Sequence, residues 1–246
     1  MAHSRDKLNY IDYIGGICFR FIRPHTPLPS WFAKLLQKLC GTPLEFANTI
    51  IPCNEPERRR NLCEISEIPR MSTFAIGAMI NRGVSHMPDT RVFVNVGVWH
   101  GFTLLSGMIN NAQKRCIGVD NFSEFGGPRE AFLKRFNRYK SPNHHFYEMD
   151  YVDYFSKVHK EPIGFYLYDG NHSYENQVKA LQVAEPFFSK NCIILIDDTN
   201  YQEPRQATTD FISNSPYGYQ VLLDRTTYCN HHPTLWNGIM IIQRRT

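Results

Sequence analysis

An α/β fold is expected from this sequence, with a mostly parallel sheet, an antiparallel edge strand, helices on both faces and a mainly helical or irregular N-terminal arm. Three observations lead there. From residue 91 onward, apolar runs of four to seven residues alternate with amphipathic stretches, the pattern of parallel strands joined by crossover helices. Each of the first five runs ends in an acid or a glycine turn. The first ninety residues hold eight of the fifteen prolines (Pro24, Pro27, Pro29, Pro43, Pro52, Pro56, Pro69 and Pro88), which break long helices and central strands. The expected division is therefore an arm over 1–71, acting as a lid or subunit interface, and a domain over 72–246.

In the arm, WFAKLLQKLC (31–40) is apolar at helical spacing, and STFAIGAMINRGVSHM (72–87) opens the domain as a longer helix with Ser72 or Thr73 near its N-cap. The candidate strands are VFVNVGV (92–98), RCIGVD (115–120), HHFYEM (144–149), IGFYLYD (163–169) and NCIILID (191–197). Helices are expected between them over 101–112, 128–140, 151–159 and 173–188, with another near 203–213. Pro128 after Gly126 and Gly127 suits a first helical position, where its missing N–H would be unsatisfied anyway. YGYQVLLD and LWNGIMIIQ read as two final strands, an antiparallel pair at one sheet edge.

With 246 residues, 42% hydrophobic and 20% charged, the chain has the composition of a soluble globular protein. The formal charge of +4 is mild, and the one basic run, ERRR at 57–60, reads as a solvated face, so no nucleic-acid partner is expected. Seven cysteines without a CxxC pair argue against a disulfide framework or structural zinc. MAHSRDKLNYIDY lacks the apolar core of a signal peptide, and no long apolar span is present. A cytoplasmic location without a membrane partner is the expectation.

In an open α/β sheet, ligands bind outside the carboxyl ends of the strands. Those ends carry Gly97 and Gly101, Asp120, Asp150, Asp169, and the pair Asp197 and Asp198. Solvated caps would explain one or two such acids; the full set points to a converging polar site. The strand, glycine turn and helix start of VNVGVWHGFTLL offer backbone N–H groups to an anionic group. A carboxylate at Asp120 could accept two hydroxyl hydrogen bonds from a ribose. Three carboxylates on neighbouring strand ends repel one another unless a cation or protons intervene, and all-oxygen ligands suit a hard ion such as magnesium. Within LYDGNHSYE, His172 has an unperturbed pKa near about 6.5, suited to proton transfer at neutral pH.

The blocks FVNVGVWHGFTLL, CIGVDNF, LYDGNHSYE and ILIDDTN together resemble class I S-adenosylmethionine-dependent methyltransferases. More narrowly, they resemble metal-dependent sugar O-methyltransferases of the macrocin and mycinamicin type, over roughly residues 72–243. The resemblance implies a Rossmann-like methyltransferase sheet and a site assigned residue by residue. The cofactor's methionine portion would lie against the turn at Asn95, Gly97, Trp99 and Gly101. Asp120, with Asn121 beside it, would bind the ribose, Asp150 and Tyr151 would lie near the adenine, and Asp169 would border the cofactor. Asp169, Asp197 and Asp198 would hold Mg2+ or another hard divalent cation, and His172 would be the general base.

Three departures stand out: Asn95 replaces a common acid, Trp99 replaces a common glycine, and Asn171 stands where many relatives carry an acid, which changes local charge without removing a ligand. The function expected is methylation of a hydroxyl on a small oxygen-rich acceptor, a sugar or vicinal diol, by an enzyme of natural-product biosynthesis that forms a homo-oligomer. The alternatives are a nicotinamide or nucleotide-sugar oxidoreductase, disfavoured by the missing GxGxxG, and a non-catalytic methyltransferase-like binding protein. The pairs His144–His145 and His231–His232 are expected at the surface, since adjacent strand residues point to opposite faces. Trp31, Phe32, Phe74 and Trp236 could line an acceptor pocket, with core or interface packing the better default for each.

Overall fold

The structure, a computed structural model, describes residues 8–52 and 55–245. Residues 1–7, part of the stretch in which no signal peptide was expected, and Cys53 lie outside that range. The sheet strands are β1 (Val92–Val96), β2 (Arg115–Asp120), β3 (His144–Glu148), β4 (Ile163–Tyr168), β5 (Phe188–Asp197), β6 (Tyr219–Arg225) and β7 (Ile239–Arg244). They form one seven-stranded sheet in the order β3-β2-β1-β4-β5-β7-β6. The first five run parallel, and β7 inserts antiparallel between β5 and β6. The final pair is thus not a hairpin appended beyond β5 in chain order, because its second strand occupies the inner place.

Each central strand reads as an unbroken apolar run because both sheet faces are covered. Val92, Val94 and Val96 point into one core with Tyr166, Ile194 and the Tyr174–Ala184 helix. Phe93 points into the other, with Phe165, Leu195 and the Phe74–His86 helix. That second helix lies close against the sheet: a Cβ on Gly83 would fall 2.1 Å from the Phe165 ring.

Local chemistry sets the boundaries. The Phe74–His86 helix starts after Thr73, whose hydroxyl accepts from Ile76 N–H at 3.5 Å. The expected 173–188 helix ends at Ala184, because Pro186 cannot continue it; a 3-10 turn follows and β5 begins at Phe188. Pro128 caps the Arg129–Tyr139 helix from just outside. The expected 151–159 helix is three residues long and passes into a π-turn over Tyr154–Val158, closed by His159 N–H on the Tyr154 carbonyl at 2.9 Å.

The arm belongs to the second core. Tyr10, Tyr13, Ile14, Phe19, Leu62 and Ile65 are buried in the same cluster as Phe93 and Phe165. Its helices are Tyr10–Gly16, Ser30–Leu39, Gly41–Asn48 and Pro56–Ile65. Polar anchors fasten it. Arg70 donates to both Glu45 carboxylate oxygens and to Thr42, and Glu45 also accepts from Phe74 N–H at 2.7 Å. Arg82 pairs with Glu55 at 2.7 Å. Within the basic run expected as a solvated face, Arg58 donates to Asn81, and Arg59 lies 4.1 Å over the Phe46 ring. These contacts fill part of the valence that solvent would otherwise take.

Glu45 is 1% exposed, and burial pushes its pKa up against the opposing pull of Arg70. Removing one partner of such a pair strands a buried charge. Arg70→Ala is expected to lower unfolding free energy by about 3–5 kcal/mol, read by urea titration, with Glu45→Gln/Arg70→Met recovering most of the loss.

Candidate functional site

Strand order brings the carboxyl ends of β1, β2, β4 and β5 side by side. At the end of β1, Gly97 takes φ +77°, and a Cβ there would fall 2.0 Å from the Asp169 carbonyl oxygen. Only glycine allows that approach. The contact is reinforced by Asp169 N–H donating to the Val96 carbonyl at 2.8 Å. Gly101, at φ +101°, then starts the Phe102–Met108 helix from a left-handed cap.

Asp120 braces two loops at once. One carboxylate oxygen accepts from the Val98 and Trp99 N–H groups at 2.8 and 2.9 Å, and the other from Phe122 N–H at 2.7 Å. Trp99 has φ +44°, and its indole N–H donates to the Phe125 carbonyl at 3.0 Å. The tryptophan that stands in place of a common glycine therefore holds the 121–127 loop across the strand ends.

A cleft opens between these loops. Of the residues expected to bind a cofactor, Gly97, Trp99, Asp120, Asn121, Asp150, Tyr151 and Asp169 line it. Asp150 also caps the turn after β3, accepting from Val152 N–H at 2.8 Å. Asn95 and Gly101 do not line the cleft. Asn95 is fully buried; its amide nitrogen donates to the Val96 and Gly97 carbonyls, and its oxygen has no partner. The sequence reading did not single out Phe122, Glu124, Phe125, Met149, Tyr168 or Asn176, which complete the walls. The Gly126–Gly127 pair was the available signal for the first three, because left-handed backbone at Phe122 and Phe125 shares that turn.

The acids of β4 and β5 meet beside this cleft. Candidate ligand atoms of Asp169, His172 and Asp197 lie within 4.8 Å of one another. His172 Nε2 stands 3.8 Å from Asp169 and 3.6 Å from Asp197, while Asp197 Oδ1 and His172 Nδ1 are buried without a hydrogen-bond partner. Asp198 lies outside this trio in the structure. Its backbone is left-handed at φ +54°, and one carboxylate oxygen accepts from Asn237 at 2.9 Å.

Burial raises the pKa of Asp169 and Asp197, and burial with the Asp197 charge pushes Asp198 up to about 7. Burial alone would lower His172, but Asp197 first, then Asp169 and Asp198, outweigh it and hold the imidazole up at about 10. The imidazolium thus supplies positive charge that these carboxylates require. Ser173, not His172, caps the Tyr174–Ala184 helix, so the imidazole is free to face the acids.

A second cavity lies on the far side of the trio, walled by Asp169, His172, Asp197 and Asp198 and by the aromatics Trp99, Phe102, Phe125, Tyr201 and Trp236. Residues 69–72, where the arm joins the domain, close one side. Trp99, Phe125, Asp169 and Gly170 border both spaces. Asn237 and His231, from the β6–β7 loop, are joined by the His231 N–H bond to the Asn237 side chain at 2.8 Å. The Asn237–Gly238 pair was the sequence signal for this turn.

Two surface expectations are corrected. His144 is buried and bonded to Ser141 N–H at 3.0 Å, and His232 is buried against the Thr234 hydroxyl at 2.7 Å. Each imidazole satisfies a local turn. Phe74 and Trp236 are buried as expected, whereas Trp31 is 68% exposed.

Residues 94–199 match a family model described as a methyltransferase domain. Among curated proteins, none matches the chain at a significant level. Among solved structures, cofactor-bound Rv0187 from MTB is 15% identical, with a TM-score of 0.56 over 90% of this chain and 99% of that one. An O-methyltransferase from Bacillus cereus in complex with SAH is 11% identical, with a TM-score of 0.55 over 87% and 96% of the two chains. At these identities the likeness is one of fold. The sheet has the Rossmann-like arrangement of these structures, and residues 94–199 within it are similar to a methyltransferase domain.

Proposed function

We propose that the protein transfers a methyl group from S-adenosylmethionine to a hydroxyl of a small oxygen-rich acceptor, assisted by a divalent cation, with His172 as general base. The observation that carries this reading is the position of the trio: Asp169 borders both the cofactor cleft and the second cavity, and Asp197 and His172 line the second cavity but not the cleft. A methyl group passing from one space to the other would cross beside these groups.

The residues present fit both partners. The Gly97 turn, Asp120, Asp150 and Asp169 give the cleft a polar lining that suits the cofactor's amino and hydroxyl groups, while the unsatisfied Asn95 amide oxygen lies behind the turn and outside that lining. Asp197 leaves a buried carboxylate oxygen equally unsatisfied. Asp169 and Asp197 would hold a hard cation, with Asp198 available as a further oxygen donor. When bound, such an ion supplies positive charge where negative charge develops on an acceptor oxygen, and it orients two neighbouring oxygens.

This chain's residues do the rest. The Gly97 turn and Asp120 would seat the cofactor, and Trp99 with Phe125 would exclude water between the two spaces. His172 would take the acceptor proton at Nε2. Its basicity depends on its carboxylate neighbours: neutralising Asp169 and Asp197 removes the charges that hold the proton on the imidazole. A second reading makes His172 a ligand beside Asp169 and Asp197, because its Nε2 lies within reach of both.

Three outcomes are expected. Calorimetric titration with S-adenosylhomocysteine should show one-to-one binding near micromolar, about −8 kcal/mol, and Gly97→Ala should abolish it. No binding to the wild-type protein would remove the methyltransferase reading. Asp197→Asn should lose binding of magnesium or manganese and metal-stimulated turnover while keeping S-adenosylhomocysteine binding. Retained metal stimulation would move the cation elsewhere. His172→Gln should lower kcat by about 10²–10⁴-fold with metal affinity unchanged. A matching loss of metal affinity would make His172 a ligand instead.

A further inference from the structure

The Ser30–Leu39 helix presents an apolar stripe to solvent. Trp31, Leu35 and Leu39 repeat every four residues, which places them on one face, and they are 68%, 40% and 71% exposed. The buried residue of this helix is Ala33 alone. Isolated exposed apolar residues are ordinary, but a continuous stripe of large ones marks an interaction surface.

The charge beside the stripe is one-sided. Lys34 and Lys38 are exposed next to it. Between Asp12 and Glu45 the sequence contains no acid, but it carries Arg20, Arg23, Lys34 and Lys38. That segment therefore holds a formal +4, the whole net charge of the chain, since 27 basic and 23 acidic residues overall leave 23 of each elsewhere.

We propose that this helix docks in the plane of an anionic membrane surface, with the Trp31–Leu35–Leu39 stripe at the acyl boundary and the lysines on headgroup phosphates. An amphipathic helix with a tryptophan, leucines and flanking lysines has the chemistry of an interfacial anchor. Each basic residue near an anionic leaflet adds attraction. A second copy of this chain is the competing occupant. Two-fold pairing on this face would set its own cations against each other, with no acid in the segment to relieve them.

The docking face is tied to the site. Tyr228 N–H donates to the Pro24 carbonyl at 2.8 Å, and Lys34 lies within electrostatic reach of His231. The loop that walls the second cavity thus rests on the basic segment. No helix among the described residues is long and apolar enough to cross a membrane, and an in-plane helix needs no such length. The inference stands independently of the proposed reaction.

The test is co-sedimentation of the full chain with phosphatidylcholine vesicles, with and without roughly one third phosphatidylserine, at low and high salt. Binding to the anionic vesicles should be at least about tenfold tighter and should weaken with salt. Leu35→Ser/Leu39→Ser and Lys34→Glu/Lys38→Glu should each weaken it about tenfold, with circular dichroism and S-adenosylhomocysteine binding as in the parent protein. Absent binding, equal binding to both vesicle types, or unaffected variants would overturn the proposal. A dimer in sedimentation that Leu35→Glu dissociates, without vesicle binding, would assign the face to a second copy.

Discussion

The close approach of Gly97 to the Asp169 carbonyl organises this molecule. It joins the ends of the two central parallel strands at a distance that no side chain could occupy. One peptide hydrogen bond, Asp169 N–H to Val96, closes the same junction. Because the strands cannot separate, the glycine turn on one side and the Asp169–His172 segment on the other are held as neighbours. Everything proposed for the site depends on that adjacency, since the cleft and the second cavity share Asp169 and Gly170 as a common wall.

Around the junction, charge is arranged against its own solvation. Asp197 is buried at the end of β5 and Asp169 is half-buried between the cleft and the second cavity, and burial disfavours their ionised forms. His172 answers with a proton, and Asn237 answers with a hydrogen bond to Asp198. Asp120, by contrast, accepts from three backbone N–H groups and braces the loops above the cleft. Acids that look equivalent as strand-end residues thus have different tasks: one shapes the cleft, the others concentrate negative charge beside it.

The arm adds a third constraint. By burying Tyr10, Ile14 and Leu62 under the sheet, it completes one face that the domain helices leave open. The same segment continues through Arg70, whose pairing with buried Glu45 fixes residues 69–72 against the second cavity. Stability of the core and the shape of the second cavity therefore rest on one set of contacts, and the outer helix of the arm leaves an apolar face exposed.

The α/β architecture was legible in the sequence because parallel strands buried on both faces must be apolar throughout, and each such run ends where a glycine or an acid meets solvent. Local chemistry also gave the glycine turn, Asp120, Asp150, Asp169 and His172 their places at strand ends. Other features came only from tertiary contact. Phe125 reaches the site from the 121–127 loop, Tyr168 from the end of β4, and His231, Trp236 and Asn237 from the β6–β7 loop, and no periodicity marks them. The inner place of β7 depends on sheet pairing, which local sequence does not encode. Asp198 carries the same side chain as Asp197, yet a left-handed backbone and Asn237 hold it outside the trio. Sequence by itself determined which residues end the strands; the direction in which each side chain points was decided by packing, because burial and neighbouring charge act only once distant segments meet.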